Sequence, residues 1–379
     1  MNLKTIIEKC SPGGNEEDNT LILGMAQIMK AYNLAILTDM FGDVPWSEAL
    51  QPGDYWTPNL DKQEEIYKDI FKLLDDAIEN LSEPSTINTI GNQDPIYGAV
   101  AAAGVRDSWI RFAWGLKARY TMRLSFKNPS YADVIEFAGK SFTAKAQEAR
   151  RACAATFPNP FFRFFTDRDN LAASQSLHDK LALRTDPRIA KFFKAHPDAS
   201  ALEFAPNGTP DQEQKRYGIS ALSVVTAPIY LMSFHELEFL KAEAHARSNN
   251  LTEARTHLSN AITAAFTSAP VGLTATDAEA YFTDRVVPRL TNQTETIREI
   301  MVQKYIGLYE IEAMETYNDI RRLKAMGEGN TYELANTLRF PLRYTYGSSD
   351  VTTNENVRNA YGDGTYVWDQ NVWWAGGTR

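Results

Sequence analysis

Cysteine is nearly absent: Cys10 and Cys153 are the only two in 379 residues, too few for a disulfide framework or a thiolate metal site. Histidine is sparse as well, with five, and these never cluster at ligand spacing. His235-Glu236 begins a zinc-protease pattern, but Phe239 occupies the place of its second histidine, so the histidines read as structural. Positive charge is in deficit, 39 Lys and Arg against 48 Asp and Glu, a net charge of −9. That argues against a nucleic-acid partner, whose phosphates need clustered cations. No uninterrupted run of 18 apolar residues occurs, and no membrane-spanning segment is expected. A phosphate-cradling glycine loop, a Gly-x-Ser-x-Gly elbow and an EF-hand loop are all missing. Asp167, Asp169 and Asn170 bring too few oxygen ligands together in sequence to hold calcium. Among the many carboxylates no pair stands in a recognisable glycosidase motif. No cofactor and no metal are expected.

What is present is apolar residue at helical spacing. Hydrophobic residues make up 44% and charged residues 23%, the balance of a globular chain with a substantial core. Ile66, Ile70, Leu74, Ala77 and Leu81 recur at steps of four and three and line one face of a helix. Asp61 is its expected N-cap, with Glu64 three residues on, and Ser82, Pro84 and Ser85 end it. Residues 233–266 read as a helical hairpin, interrupted at Asn249 and Asn250, with Thr252 capping the second helix. Ala242, Ala254, Leu258 and Ala261 have the small-residue spacing of a tetratricopeptide-like pair. Ile297, Met301, Tyr305 and Leu308 predict a core helix running on through Gln303 to Arg322. Along it, Glu315 and Asp319, and Asp319 and Arg322, share a face as ion-pairing partners.

Two segments break this rhythm. Residues 157–226 carry Pro158, Pro160, Pro187, Pro197, Pro206 and Pro210 with an Asn-Gly at 207–208, the punctuation of short helices, loops and at most a hairpin. Residues 327–379 are rich in Gly, Asn, Tyr and Trp. Both read as loop-built surface on a single-domain, all-α scaffold that occupies about residues 20–150 and 228–326.

One string is harder to obtain by chance than any helix: Asp39-Met-Phe-Gly-Asp-Val-Pro-Trp-Ser-Glu-Ala49. After it come Glu64–Leu81, Ile96-Tyr-Gly98, Trp109-Ile-Arg-Phe-Ala113 and Leu116–Ser125. Asp186-Pro-Arg188, Pro228–Ala244 and Gln303-Lys304 follow, then Glu315–Arg322, Arg339-Phe-Pro341, Asn354-Glu-Asn356 and Val372-Trp-Trp374. In this order the set resembles the SusD/RagB-like outer-membrane lipoproteins, which capture nutrients beside a TonB-dependent transporter. Trp114 departs from the pattern, standing where members usually carry Asn. An acidic residue common in the family is also missing around Gly98–Ala103.

The resemblance implies an all-α fold of several tetratricopeptide-like helix pairs, an oligosaccharide or peptide ligand, a TonB-dependent partner barrel, and no enzymatic activity. It also implies a lipid anchor and a further helical segment N-terminal to the residues given. Cys10 is not read as the anchor site, because Lys4–Lys9 lacks the apolar stretch and small residue of a processing site.

Sugars stack their C–H faces on flat rings, so aromatics outside helical periodicity are the binding candidates: Trp46, Tyr55, Trp56, Phe161, Phe162, Tyr217, Trp368, Trp373 and Trp374. Tyr55 and Trp56 stand out in a polar loop with Gly53, Asp54, Thr57 and Pro58. Phe162, Arg163 and Asp167 come second, combining a ring with charged partners and expected to face that loop. Trp373 and Trp374 read as a clasp that pins the C-terminus to the core. Two rival classes stay open: a helical-repeat interaction protein without a small ligand, and an α-helical glycoside hydrolase.

Overall fold

Ile66, Ile70, Leu74, Ala77 and Leu81 form the buried stripe of one helix in the computed structural model. The structure describes residues 2–51, 53–168, 170–209, 213, 215–335, 339–361 and 364–378; Asp169 and Pro210, named above, lie outside them. The first helices are α1 (Asn2–Cys10), α2 (Thr20–Phe41), α3 (Gln63–Ser82), α4 (Ala102–Arg123), α5 (Tyr131–Gly139), α6 (Pro160–Asp167), α7 (Gln175–Ala182) and α8 (Ile189–Phe192). They are followed by α9 (Phe234–Arg247), α10 (Leu251–Phe266), α11 (Ala275–Tyr281), α12 (Gln293–Gly307), α13 (Ala313–Ala325), α14 (Ser348–Thr353) and α15 (Glu355–Tyr361). Extended structure is minor: β1 (Ala149–Arg151) pairs antiparallel with β4 (Ile229–Met232), and β2 (Phe193–Lys194) with β3 (Ile219–Ser220). The fold is all-α. It contains two compact units, residues 1–130 with 321–329 and 338–379, and residues 131–320 with 330–337.

In the first unit α2 lies along α3. An 18-residue stretch of it, with a mean hydropathy of 1.4, is long and apolar enough to cross a membrane, although polar residues interrupt every apolar run. Here it is a core helix. At Gly24 any side chain would meet Leu81 at 2.5 Å, and Gln27 is buried while accepting from Asn80 at 3.0 Å. Its last turn carries the first residues of the Asp39–Ala49 string. Gly42 then ends the helix at φ +82, where a Cβ is disfavoured.

That string is an architectural node. The Asp39 carboxylate accepts from Tyr67 Oη at 2.6 Å and lies 3.4 Å from Arg123 Nη1, and its backbone carbonyl accepts from Arg321 at 2.7 Å. Both guanidiniums lie over the ring of buried Trp374, at 5.3 and 4.7 Å from its centroid. Asp43 accepts from the Gln63 N–H at 2.8 Å, and Gln63 in turn accepts from the Trp374 N–H at 3.1 Å. Asp43, not Asp61, therefore satisfies the start of α3; Asp61 is turned away to accept from the Trp46 and Ser47 N–H groups at 2.9 and 3.0 Å. Arg343 donates to Phe41 O and, at 3.1 Å, to Tyr361 Oη, while Tyr346 Oη donates to Asp43 O. Trp374 is the clasp expected of it.

In the second unit α9 and α10 form the predicted hairpin, with Ala242, Ala254, Leu258 and Ala261 fully buried between its helices and their neighbours. The turn residue Asn249 sits at φ +59. Asn250, one turn residue later, caps α10 by accepting from Glu253 N–H; Thr252 is already inside the first turn and does not cap. Asp186 and Arg188 form a fully buried ion pair at 2.6 Å. Arg188 also donates to Gln303 at 2.9 Å, and Gln303 donates to Tyr281 Oη at 2.7 Å and Glu299 at 2.8 Å.

The continuous helix expected from Gln303 to Arg322 is broken. α12 stops at Gly307 and α13 starts at Ala313, because Glu310 adopts φ +59 and turns its carboxylate onto Ser220 and Ser223, at 2.7 and 2.8 Å. Glu312 accepts from the Ser233 N–H. Asp319 pairs with Lys304 at 2.7 Å across the break.

Removing one partner from a buried charge cluster strands the others, at a cost of about 3–5 kcal/mol. Asp39→Ala is expected to destabilise the first unit by an amount in that range in chemical denaturation. A loss below about 1 kcal/mol, no more than an average substitution, would show that the node is not what holds the C-terminal segment.

Candidate functional site

Two surfaces carry aromatic side chains that the core does not use, one within each unit. The first is the loop after Pro45. Val44 bridges Asp61 and closes the loop at its base. Glu48 accepts from Asn59 N at 2.7 Å and from its side chain at 3.0 Å. Asn354 and Asn356 donate to the carbonyls of Pro58 and Thr57, each at 2.9 Å. Trp46 is spent on the scaffold: its indole donates to Asp69 at 2.7 Å and the Lys30 ammonium sits 4.6 Å from its ring. Tyr55 and Trp56 project from this braced loop at 45% and 83% exposure. An indole so exposed contributes almost nothing to the core.

The second surface is a cleft of about 510 Å³ in the second unit. Asn159 caps α6 by accepting from the Phe161 and Phe162 N–H groups, and its side chain ties the helix start to Ala227 O at 2.9 Å. None of the eight residues of α6 is buried. Phe161 and Phe164 face solvent, while Phe162 and Phe165 line the cleft. The β2–β3 pair supplies Lys194 and its register partner Ile219, joined by Tyr217, Ser220 and Ser223. Behind the two serines, burial raises the Glu310 carboxyl above its ordinary range, against the pull of the Ser220, Ser223 and Tyr309 hydroxyls.

Of the residues singled out by sequence, Tyr55 and Trp56 share one loop and Phe162 lines the cleft. Arg163 and Asp167 are exposed on α6 and do not line it. Sequence reasoning missed Lys194, Ser223 and Glu310. The Glu310 contribution depends on a left-handed turn that no glycine or asparagine marks.

Metal chemistry finds no support among the described residues, which contain no cluster of three His, Cys, Asp or Glu able to hold an ion. His235 is buried, and desolvation, with the Arg188 charge adding to it, pushes its imidazole down to about 3. It is a neutral core side chain at physiological pH.

Residues 1–347 match the family model SusD-like_2, described as "Starch-binding associating with outer membrane". The chain belongs to this SusD-like family. A crystal structure of a SusD/RagB family protein from Bacteroides thetaiotaomicron is 39% identical, with a TM-score of 0.87 over 100% of this chain and 85% of that one. The fold is shared at lower identity by a chitin-binding SusD homologue from Flavobacterium johnsoniae, 20% identical with a TM-score of 0.78 over 99% of this chain and 84% of that one. A SusD homologue from Bacteroides uniformis, 24% identical, has a TM-score of 0.77 over 99% and 84% of the two chains. No curated protein matches the chain.

Since Trp56 packs against so little of this SusD-like scaffold, Trp56→Ala is expected to leave thermal stability within about 0.5 kcal/mol of the parent, the range of an ordinary surface substitution. Thermal unfolding followed by circular dichroism measures this, and a large early shift would place the ring in the core instead.

Proposed function

We propose that the protein is a cell-surface binding protein that captures an oligosaccharide and delivers it to a TonB-dependent outer-membrane transporter, held at the membrane by a lipid anchor. Binding, not bond cleavage, is its chemistry, and it uses no cofactor. The family's description supports the glycan and the outer membrane, and the shared fold with a chitin-binding homologue supports a glycan as ligand class.

The observation that carries the reading is Trp56. A large flat ring held at 83% exposure, beside Tyr55, on a loop braced by Asn354 and Asn356, presents an apolar face that a ligand can cover. A pyranose does so well, because its C–H face shelters the ring while its hydroxyls stay hydrogen-bonded at the rim. A pre-braced loop also reduces the ordering cost of binding.

Calorimetric titration with a panel of oligosaccharides tests the reading. Trp56→Ala should weaken the bound glycan by about 1–2 kcal/mol, roughly five- to thirtyfold in Kd. An unchanged affinity would remove the loop from the binding site.

A further inference from the structure

The cleft of the second unit has a character that the Tyr55–Trp56 loop lacks. Its rings are Phe162 and Phe165 on one wall and Tyr217 on the other. Among the described residues its charged lining is mostly cationic, in a protein whose net charge is −9: Arg168, Lys194 and Lys215 line it, against Glu213. Two of these four charges are already matched. Lys215 pairs with Asp198 at 3.0 Å, and Glu213 lies 4.0 Å from Arg216. Arg168 and Lys194 have no carboxylate partner among the described residues; the Arg168 guanidinium donates to the carbonyl of Asp167, at 3.0 Å.

Lys194 is also held in place. It belongs to β2, where Phe193 is buried beneath it and Ile219 stands opposite in register. The strand thus presents its ammonium from a fixed backbone. Ser220 and Ser223 both spend their hydroxyl protons on Glu310, so the Ser223 oxygen keeps acceptor lone pairs for a donor brought by a ligand. The cleft therefore offers ring faces for C–H surface, an acceptor for a hydroxyl, and two cations for an anion.

We propose that this cleft binds an acidic sugar unit, carboxylated or sulfated, with its anionic group on Lys194 and Arg168 and its ring against Phe162 and Tyr217. The inference rests on the reading of the protein as a glycan binder and adds a second site and a charge class to it. Ionic hydrogen bonds of this kind outweigh neutral ones, and at a partly exposed site they weaken with salt.

The test titrates the full chain with tetragalacturonate, with its methyl ester as the neutral match, and with a sulfated chondroitin disaccharide, each in 20 mM and 300 mM salt (about 20 and 6 Å of screening length). The expected result is salt-sensitive binding of at least one acidic probe, roughly tenfold weaker in Lys194→Met and unchanged in Trp56→Ala. Binding of the galacturonate but not the chondroitin probe, or the reverse, identifies the anion. Equal affinity for the acid and its methyl ester would overturn the proposal, as would full binding by Lys194→Met or no binding of either acidic probe. Should a glycan bind in a Trp56-dependent manner while both acidic probes fail, the cleft assignment falls and the proposed function stands. Lys194 is exposed, so its replacement does not endanger folding.

Discussion

One buried carboxylate organises the first unit. Asp39 sits at the end of an apolar helix, where an unpaired charge would be prohibitively costly. It is made tolerable by Tyr67, Arg123 and, through its carbonyl, Arg321. Those two arginines are themselves buried, and both lie over Trp374 near the C-terminus. The constraint is mutual: no member can be removed without leaving another polar group desolvated. Residues that are 335 positions apart in sequence, 39 and 374, are thereby made to depend on one another. What this buys is a fixed origin for the chain that leaves α2, the braced loop carrying Tyr55 and Trp56.

The second unit repeats the principle with different residues. Asp186, Arg188, Glu299 and Gln303 form a buried polar network between short helices and α12. The strings around Asp39 and Asp186 are therefore places where buried charge is matched. Their role in this chain is architectural, and a ligand surface is free to differ on top of such a scaffold.

Much of the helical scaffold was legible because it follows a local rule. The α3 stripe and the α9–α10 hairpin need only an apolar period and a turn, and both stand as read. Apart from the Thr252 cap, taken by its near neighbour Asn250, the helix misreadings share one cause, a distant partner overriding a local preference. Asp61 looked like a helix cap, but the Trp46 and Ser47 N–H groups claim it, and Asp43, distant in sequence, takes over the cap. The rhythm through Leu308 looked like one long helix, yet Glu310 is drawn into a left-handed turn by Ser220 and Ser223. Of the candidate surfaces, Tyr55 and Trp56 were visible because glycine and proline surround them. Phe162 was visible as part of a ring-rich string. Lys194 was not, since a two-residue strand gives no periodicity and its partner lies 25 residues away.

The central claim is that the protein binds a glycan and leaves it intact. Saturation-transfer NMR on the chain mixed with oligosaccharides, followed over a day, tests it most directly. The account predicts transfer to sugar C–H protons of at least one glycan, with its anomeric signals constant throughout. Growth of new reducing-end signals, abolished by a single Asp or Glu substitution, would contradict it and make the protein a hydrolase.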